Sequence, residues 1–465
     1  MKYNTKKSTK TINKAGGVGY KESPKLELVS LVLTSFMKDK FYETEKDQLA
    51  RIKTLISKIE PLFVAKLAIY ARKVYGMRSV SHVLAGEIAK RVHGEKWTRS
   101  FFQKVVNRPD DMSEILGYYF STEKKLSNPL RDGFARVLET LDEYTLAKYK
   151  LDGKAIKMVD LINLTHPKAT PAIGKLIRGE LKSRNTWEAK LSEAGKSKDV
   201  EEAKSNAWKD LVLEKKIGYF ALLRNLRNII EQADEETLNI ALELLVEENR
   251  IKKSLVLPFH FLTAMKEINQ LNGKGVRPTI VALSKAIEVS LSNIPDLKGD
   301  TLVVIDSSGS MRGNPAEIAS IFGSALYKKL NADMMLFSDD AKYYSPNPSD
   351  TLMTIATNVP LIGSGTNFHS IFETANKKYD RIIILSDMQG WIGYESPVRE
   401  YNQYKKDYDA NPFIYSIDLQ GYGELQFPES NVFCLAGFSD KIFDTMAYLE
   451  TDKNALINEV EKIEI

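Results

Sequence analysis

The chain has 465 residues, 43% of them hydrophobic and 27% charged, the composition of an ordinary folded protein, and its length exceeds what one hydrophobic core serves, so two or three domains are expected. No apolar run approaches the roughly 18 residues that cross a bilayer, and the opening MKYNTKKSTKTINKAGG lacks the apolar centre of a secretory signal, so a cytoplasmic protein with no membrane partner is expected. One cysteine, Cys434, excludes internal disulfides and reads as a small hydrophobe in VFCLAGF, while five scattered histidines give no zinc-ligand spacing.

The net charge of +5 hides a division. Residues 1–300 hold 53 basic against 38 acidic side chains, or +15, and residues 301–465 hold 13 against 23, or −10. A basic part joined to an acidic one points to a polyanion bound by the first and not by the second.

Residues 1–20 read as a basic, flexible N-terminal arm. From about residue 26 to residue 290 apolar residues recur at helical spacing, through LELVSLVLTSFM, IKTLISKIEPLFVAKLAIYARKVYG, FARVLETLDEYTLAKYK, ETLNIALELLVEENR and TIVALSKAIEVSLSNI. In IGYFALLRNLRNIIEQ the stripe is Tyr219, Leu223, Leu226 and Ile230, with Arg224, Arg227 and Asn228 opposite. So many successive helices cannot close one small bundle, and residues 21–297 are expected to form an α-solenoid of paired helices. Beyond residue 300 short apolar runs, TLVVID, MMLFSD, RIIILSD, FIYSIDL and VFCLAGF, alternate with amphipathic stretches. That pattern predicts an α/β domain over residues 298–465, a parallel sheet covered on both faces and followed by a C-terminal helix.

In open sheets of this kind ligands bind beyond the carboxyl ends of the strands, where VVIDSSGSMRG places Asp306, Ser308 and Ser310. Thr366 in LIGSGTNFHS and Asp387 after RIIILS fall at the same edge. Three readings compete: a serine nucleophile, a helix cap, or oxygen ligands for a hard metal ion. A nucleophile needs an adjacent base, and the one histidine of this half, His369, opens a helix after Thr366. A cap accounts for one residue of the group. Two carboxylates and three hydroxyls form the all-oxygen set that Mg2+ or another divalent cation prefers, and fall short of a two-metal nuclease.

The order Asp306-x-Ser308-x-Ser310, Thr366, Asp387 resembles the metal-ion-dependent adhesion site of a von Willebrand factor A domain. In the basic half NKAGG, KYK with DLINLTHPK, ALLRNLRNI, LPFHFLTA and GVRPTI resemble the TROVE module of the Ro ribonucleoprotein autoantigen family. The resemblance implies a ring of HEAT-like helical repeats closed by the A domain, and no enzymatic activity. It implies a protein that binds small noncoding, Y-like RNA on a basic outer surface and single-stranded ends of misfolded RNA in a central hole. An exoribonuclease or another protein would bind through the A domain, and the chain is taken as a monomer.

The segment that resembles the family's RNA-contacting region holds Lys148, Lys150, Lys154, Lys157 and His166. Lys66, Arg72, Lys73 and Arg78 form a second basic set, and Arg224 with Arg227 a third. The rival reading is a protein-interaction scaffold in which solenoid and A domain each bind proteins without RNA. His82 and His260, among apolar neighbours, are expected in the core.

Overall fold

The computed structural model describes residues 9–12, 18–21, 23–34, 45–149, 151, 153–181, 187–215, 217–388, 397–419, 432–436, 442–451 and 455–465. The side chain of Cys434 lies outside the described residues. The chain divides into two compact units, one comprising Met1–Lys10, Tyr20–Arg184 and Asp418–Ile465, the other Thr11–Gly19 and Asn185–Ile417. Within the expected arm, Thr9–Ile12 (β1) and Val18–Lys21 (β2) are short strands.

The first unit is helical where the periodicity predicts it. Proline at the first turn and short polar caps fix the helix starts. Pro61 opens Pro61–Lys73, Pro109 opens Pro109–Phe120, and Asp142 caps Glu143–Lys148 by accepting from the Thr145 amide at 2.7 Å. Neighbouring helices pack one and two steps along the chain: Pro61–Lys73 on Ser79–Arg91 and Thr98–Val105, and Thr98–Val105 on Asn128–Glu139. Gly133 permits that last approach, since a Cβ there would lie 2.5 Å from the Cβ of Phe102. The chain returns to this unit near its end: Val432–Ala436 (β8) and Ile442–Thr451 pack on the helix Pro24–Thr34, and Ala455–Glu461 packs on it and on Pro61–Lys73. Leu28, Val32, Leu456 and Val460 are wholly buried there.

At the centre of the first unit lies an ionic cluster. Asp111, wholly buried, accepts from Arg72 Nε at 3.0 Å, from His82 Nε2 at 2.8 Å and from the amides of Asn107 and Arg108 at 2.9 Å each. Burial alone would push its carboxyl up. The hydrogen bonds and charges of His82 and Arg72 overcome this and hold it well below the usual carboxylate range.

The second unit joins the helices from Trp187–Ala194 to Val276–Ser290 to a sheet. Its strands are Thr301–Asp306 (β3), Asp333–Phe337 (β4), Ala341–Tyr343 (β5), Arg381–Ser386 (β6) and Phe413–Asp418 (β7), in the order β5-β4-β3-β6-β7. β3 runs parallel to β4 and β6, with Val303 opposite Met334 and Ile383. Every residue of β3 and β6 is buried, which explains their unbroken apolar runs. The sheet is mixed, which corrects the expectation of a parallel one. β4 turns straight back into the three-residue β5, pairing Phe337 with Ala341 in antiparallel fashion, because a tight turn can join antiparallel strands only. Helix Asn314–Leu330 covers β3, with Gly323 giving passage to Ile305, and contacts the turn Pro258–His260.

Candidate functional site

β3 ends on Asp306, whose carboxylate is wholly buried. Its Oδ1 accepts from the amide of Ser308 at 2.9 Å, and its Oδ2 accepts from Ser386 Oγ, the last residue of β6, at 2.5 Å. Ser308 Oγ lies 3.1 Å from Ser310 Oγ; Ser308 is 2% exposed and Ser310 opens to solvent. Asp387, directly after β6, is 2% exposed and near enough for its charge to act on Asp306. Burial, with Asp387 adding to it, pushes the Asp306 carboxyl up to about 7 against the hydrogen bonds from Ser386 and Ser308.

Thr366, 2% exposed, is brought to this edge by a loop laid against the end of β3. The Gly363 amide donates to the Ser307 carbonyl at 2.8 Å, and the Gly309 amide to the Ser364 carbonyl at 2.9 Å. Gly363 holds a left-handed φ of 78°, and a Cβ on Gly309 would lie 3.3 Å from the Gly363 carbonyl, so small residues are required on both sides. Asp339, beyond β4, clamps the same loop: it accepts from the Gly365 amide at 2.9 Å and from Ser364 Oγ. His369 Nδ1 pairs with Glu400 Oε2 at 2.9 Å. Sequence reasoning missed Ser386 and Asp339. Ser386 carried a signal, as the polar residue that closes an apolar strand run.

Among the described residues no group of three or more His, Cys, Asp or Glu is placed to hold a metal. The edge instead offers two carboxylates and three hydroxyls. A buried carboxylate answered only by neutral donors, beside a second carboxylate, is short of positive charge, and this donor set fits a hard divalent cation.

The basic residues fall into three situations. Lys148, Lys154, Lys157 and His166 are exposed on consecutive segments of the first unit; Lys150 lies outside the described residues. Lys148 Nζ is 5.5 Å from the Tyr149 ring centroid, on which Arg108 also lies at 5.3 Å. Lys154 pairs with Glu114 at 2.7 Å, and His166 ends its helix in a left-handed conformation. In the second set Arg72 is withdrawn from any RNA surface, since it is 3% exposed and committed to Asp111. Arg78 pairs with Asp110, Lys73 is exposed, and Lys66 donates to the Glu461 carbonyl at 2.5 Å. Arg224 and Arg227 are exposed in the second unit, Arg227 pairing with Glu231 at 3.1 Å and Glu267 at 3.6 Å. His82 is buried as expected, whereas His260 is half-buried, accepting from the Leu257 amide at 3.0 Å.

A family model for the TROVE domain matches residues 31–178 and 163–306, together more than half of the chain. The chain belongs to the TROVE/Ro family, as the sequence resemblance implied. Among solved structures it is similar to the Ro (Rsr) protein of Deinococcus radiodurans, with a TM-score of 0.65 at 16% identity, over 94% of this chain and 99% of that one. It is also 22% identical over 309 residues to telomerase protein component 1 of Mus musculus; the match takes in 47% of this chain and only 12% of that protein.

Proposed function

We propose that the chain is a non-catalytic, RNA-binding ribonucleoprotein scaffold of the cytoplasm, acting as a monomer. On this reading a ring of HEAT-like helical repeats holds small noncoding, Y-like RNA on its basic outer surface. Its central hole takes single-stranded ends of misfolded or structured RNA. The observation that carries the reading is that the family match, residues 31–306, lies almost wholly within the basic part of the chain, residues 1–300, and not in the acidic part that follows. The basic, exposed segment from Lys148 to His166, with Arg108 stacked on Tyr149, supports it as a surface for phosphates and bases.

The sheet domain is read as a von Willebrand factor A domain whose Asp306, Ser308, Ser310, Thr366 and Asp387 hold Mg2+, directly or through water. When bound, the ion would supply an open position for an oxygen ligand from an exoribonuclease or another protein. The chain's own part is to orient that set: Ser386 and the Ser308 amide fix both oxygens of Asp306, and the loop clamped by Asp339 presents Thr366.

Sequencing of RNA that copurifies with the protein tests the reading, together with a salt series on one such RNA. Affinity is expected to fall steeply and log-linearly as salt rises. Absence of enriched RNA, with binding indifferent to salt, would favour the protein-interaction scaffold.

A further inference from the structure

Two lysines of the first unit hold one stretch of chain, and a third stands near enough to one of them for their charges to act on each other. Helix Pro61–Lys73 carries Lys66 and Lys73, and helix Thr98–Val105, packed against it, carries Lys104. Lys66 Nζ donates to the Glu461 carbonyl at 2.5 Å and Lys104 Nζ to the Glu464 carbonyl at 3.1 Å. Lys25 pairs alongside with the Glu461 side chain at 3.1 Å. Lys73 is held below the ordinary lysine value by partial burial and then by the like charge of Lys104.

These contacts are unusual for this unit. Lys154, Lys175 and Lys90 meet the carboxylates of Glu114, Glu143 and Glu87. Among the described residues Lys66, Lys73 and Lys104 have no carboxylate side chain as an ion-pair partner. Carbonyl oxygens near a helix end carry only partial negative charge, so they satisfy ammonium hydrogens without neutralising the cluster. Two ammonium groups that already hold oxygens of one short stretch, with a third positive charge beside one of them, are what a phosphate would complete.

We infer that Lys66, Lys73 and Lys104 form a phosphate site for single-stranded RNA, and that residues 461–465 occupy it as an internal competitor which the RNA displaces. The inference rests on the RNA-binding reading and adds its regulation. Buried Leu456 and Val460 hold the body of helix Ala455–Glu461 in place, so the part that yields is its last residue, Glu461, and the stretch beyond it, tied down by the hydrogen bond that the Ile463 amide donates to the Val460 carbonyl at 3.1 Å.

The test uses the full chain and a labelled oligouridylate. Lys73→Ala and Lys104→Ala, both at exposed positions, are each expected to weaken binding about five-fold at 0.1 M salt and to flatten the salt slope by about 0.7. In the unmutated protein, amide hydrogen exchange over residues 461–465 is expected to quicken when oligouridylate binds. Wild-type affinity in both variants would remove the phosphate site while leaving RNA binding in force. Weakened variants with unchanged exchange would overturn the competition. No oligouridylate binding by the unmutated chain at any salt concentration would sink the RNA reading and this inference with it. Thermal melting of both variants guards against misfolding as the cause.

Discussion

Asp111 and Asp306 are equally buried and oppositely treated. Asp111 meets a guanidinium, an imidazole and two amides, and its carboxyl is driven far down. Asp306 meets a hydroxyl, an amide and the charge of Asp387, and its carboxyl is driven up to about 7. Burial therefore says nothing by itself about the role of an acid. The question is whether the fold supplies the compensating charge. Where it does, the acid ties helices together; where it does not, the acid is left short of positive charge, as Asp306 is.

Arg72→Met is the heaviest blow to this contrast. It strands Asp111 without its guanidinium and should cost about 3–5 kcal/mol in thermal or denaturant unfolding, whereas Arg72→Met with Asp111→Asn should recover much of the loss. Equal costs for the single and double variants would mean that packing, not charge, governs the cluster.

Acid should find the same residue. A carboxyl lowered in the folded state contributes stability that is whole above its unfolded value near 4 and is lost as pH falls below that toward the folded value. Asp111→Asn should therefore flatten the decline in stability below about pH 4 by on the order of 2 kcal/mol, read from melting temperatures across that window.

Ser386→Ala removes the hydroxyl from Asp306 Oδ2. About 1–2 kcal/mol is expected, less than at Arg72, because the lost partner is neutral. Magnesium affinity by calorimetry should fall as well, since one oxygen of the acid is no longer oriented. The smallest effect on folding belongs to Asp306→Ala. Metal-free stability should move by less than about 1 kcal/mol, because a costly buried carboxylate leaves with its hydrogen bonds. Magnesium binding should vanish, and with it any stabilisation that the added ion confers. Unchanged calorimetric binding would dismiss the metal assignment.

Much of the architecture was legible in sequence because apolar period and strand edges are local. β3 ends at Asp306 and β6 one residue before Asp387, where turn chemistry interrupts the apolar runs. In the helical stripe of Tyr219–Gln232, Tyr219, Leu223 and Leu226 are buried as the period predicts; Leu222 and Ile229 join them, whereas Ile230 is half-buried. What escaped was set by distant partners. Nothing near Arg72 announces Asp111, 39 residues on. β5 is too short to show a pattern, and the loop clamp by Asp339 spans β5, the helix Leu352–Thr357 and the loops around them. The candidate ligands could be gathered from motif order alone, but not the hydroxyl of Ser386 that steadies them.

The return of the chain to its first unit bears on how the protein is made. The helix Pro24–Thr34 leaves the ribosome long before β8 and the helices Ile442–Thr451 and Ala455–Glu461, which complete the cover over it begun by its neighbours in sequence. At about 5–20 residues per second this helix waits tens of seconds for the rest of its cover. A nascent chain stalled before residue 432 would lack β8 and both of those helices, and the part of the Pro24–Thr34 helix that they cover would stay open to proteases and chaperones.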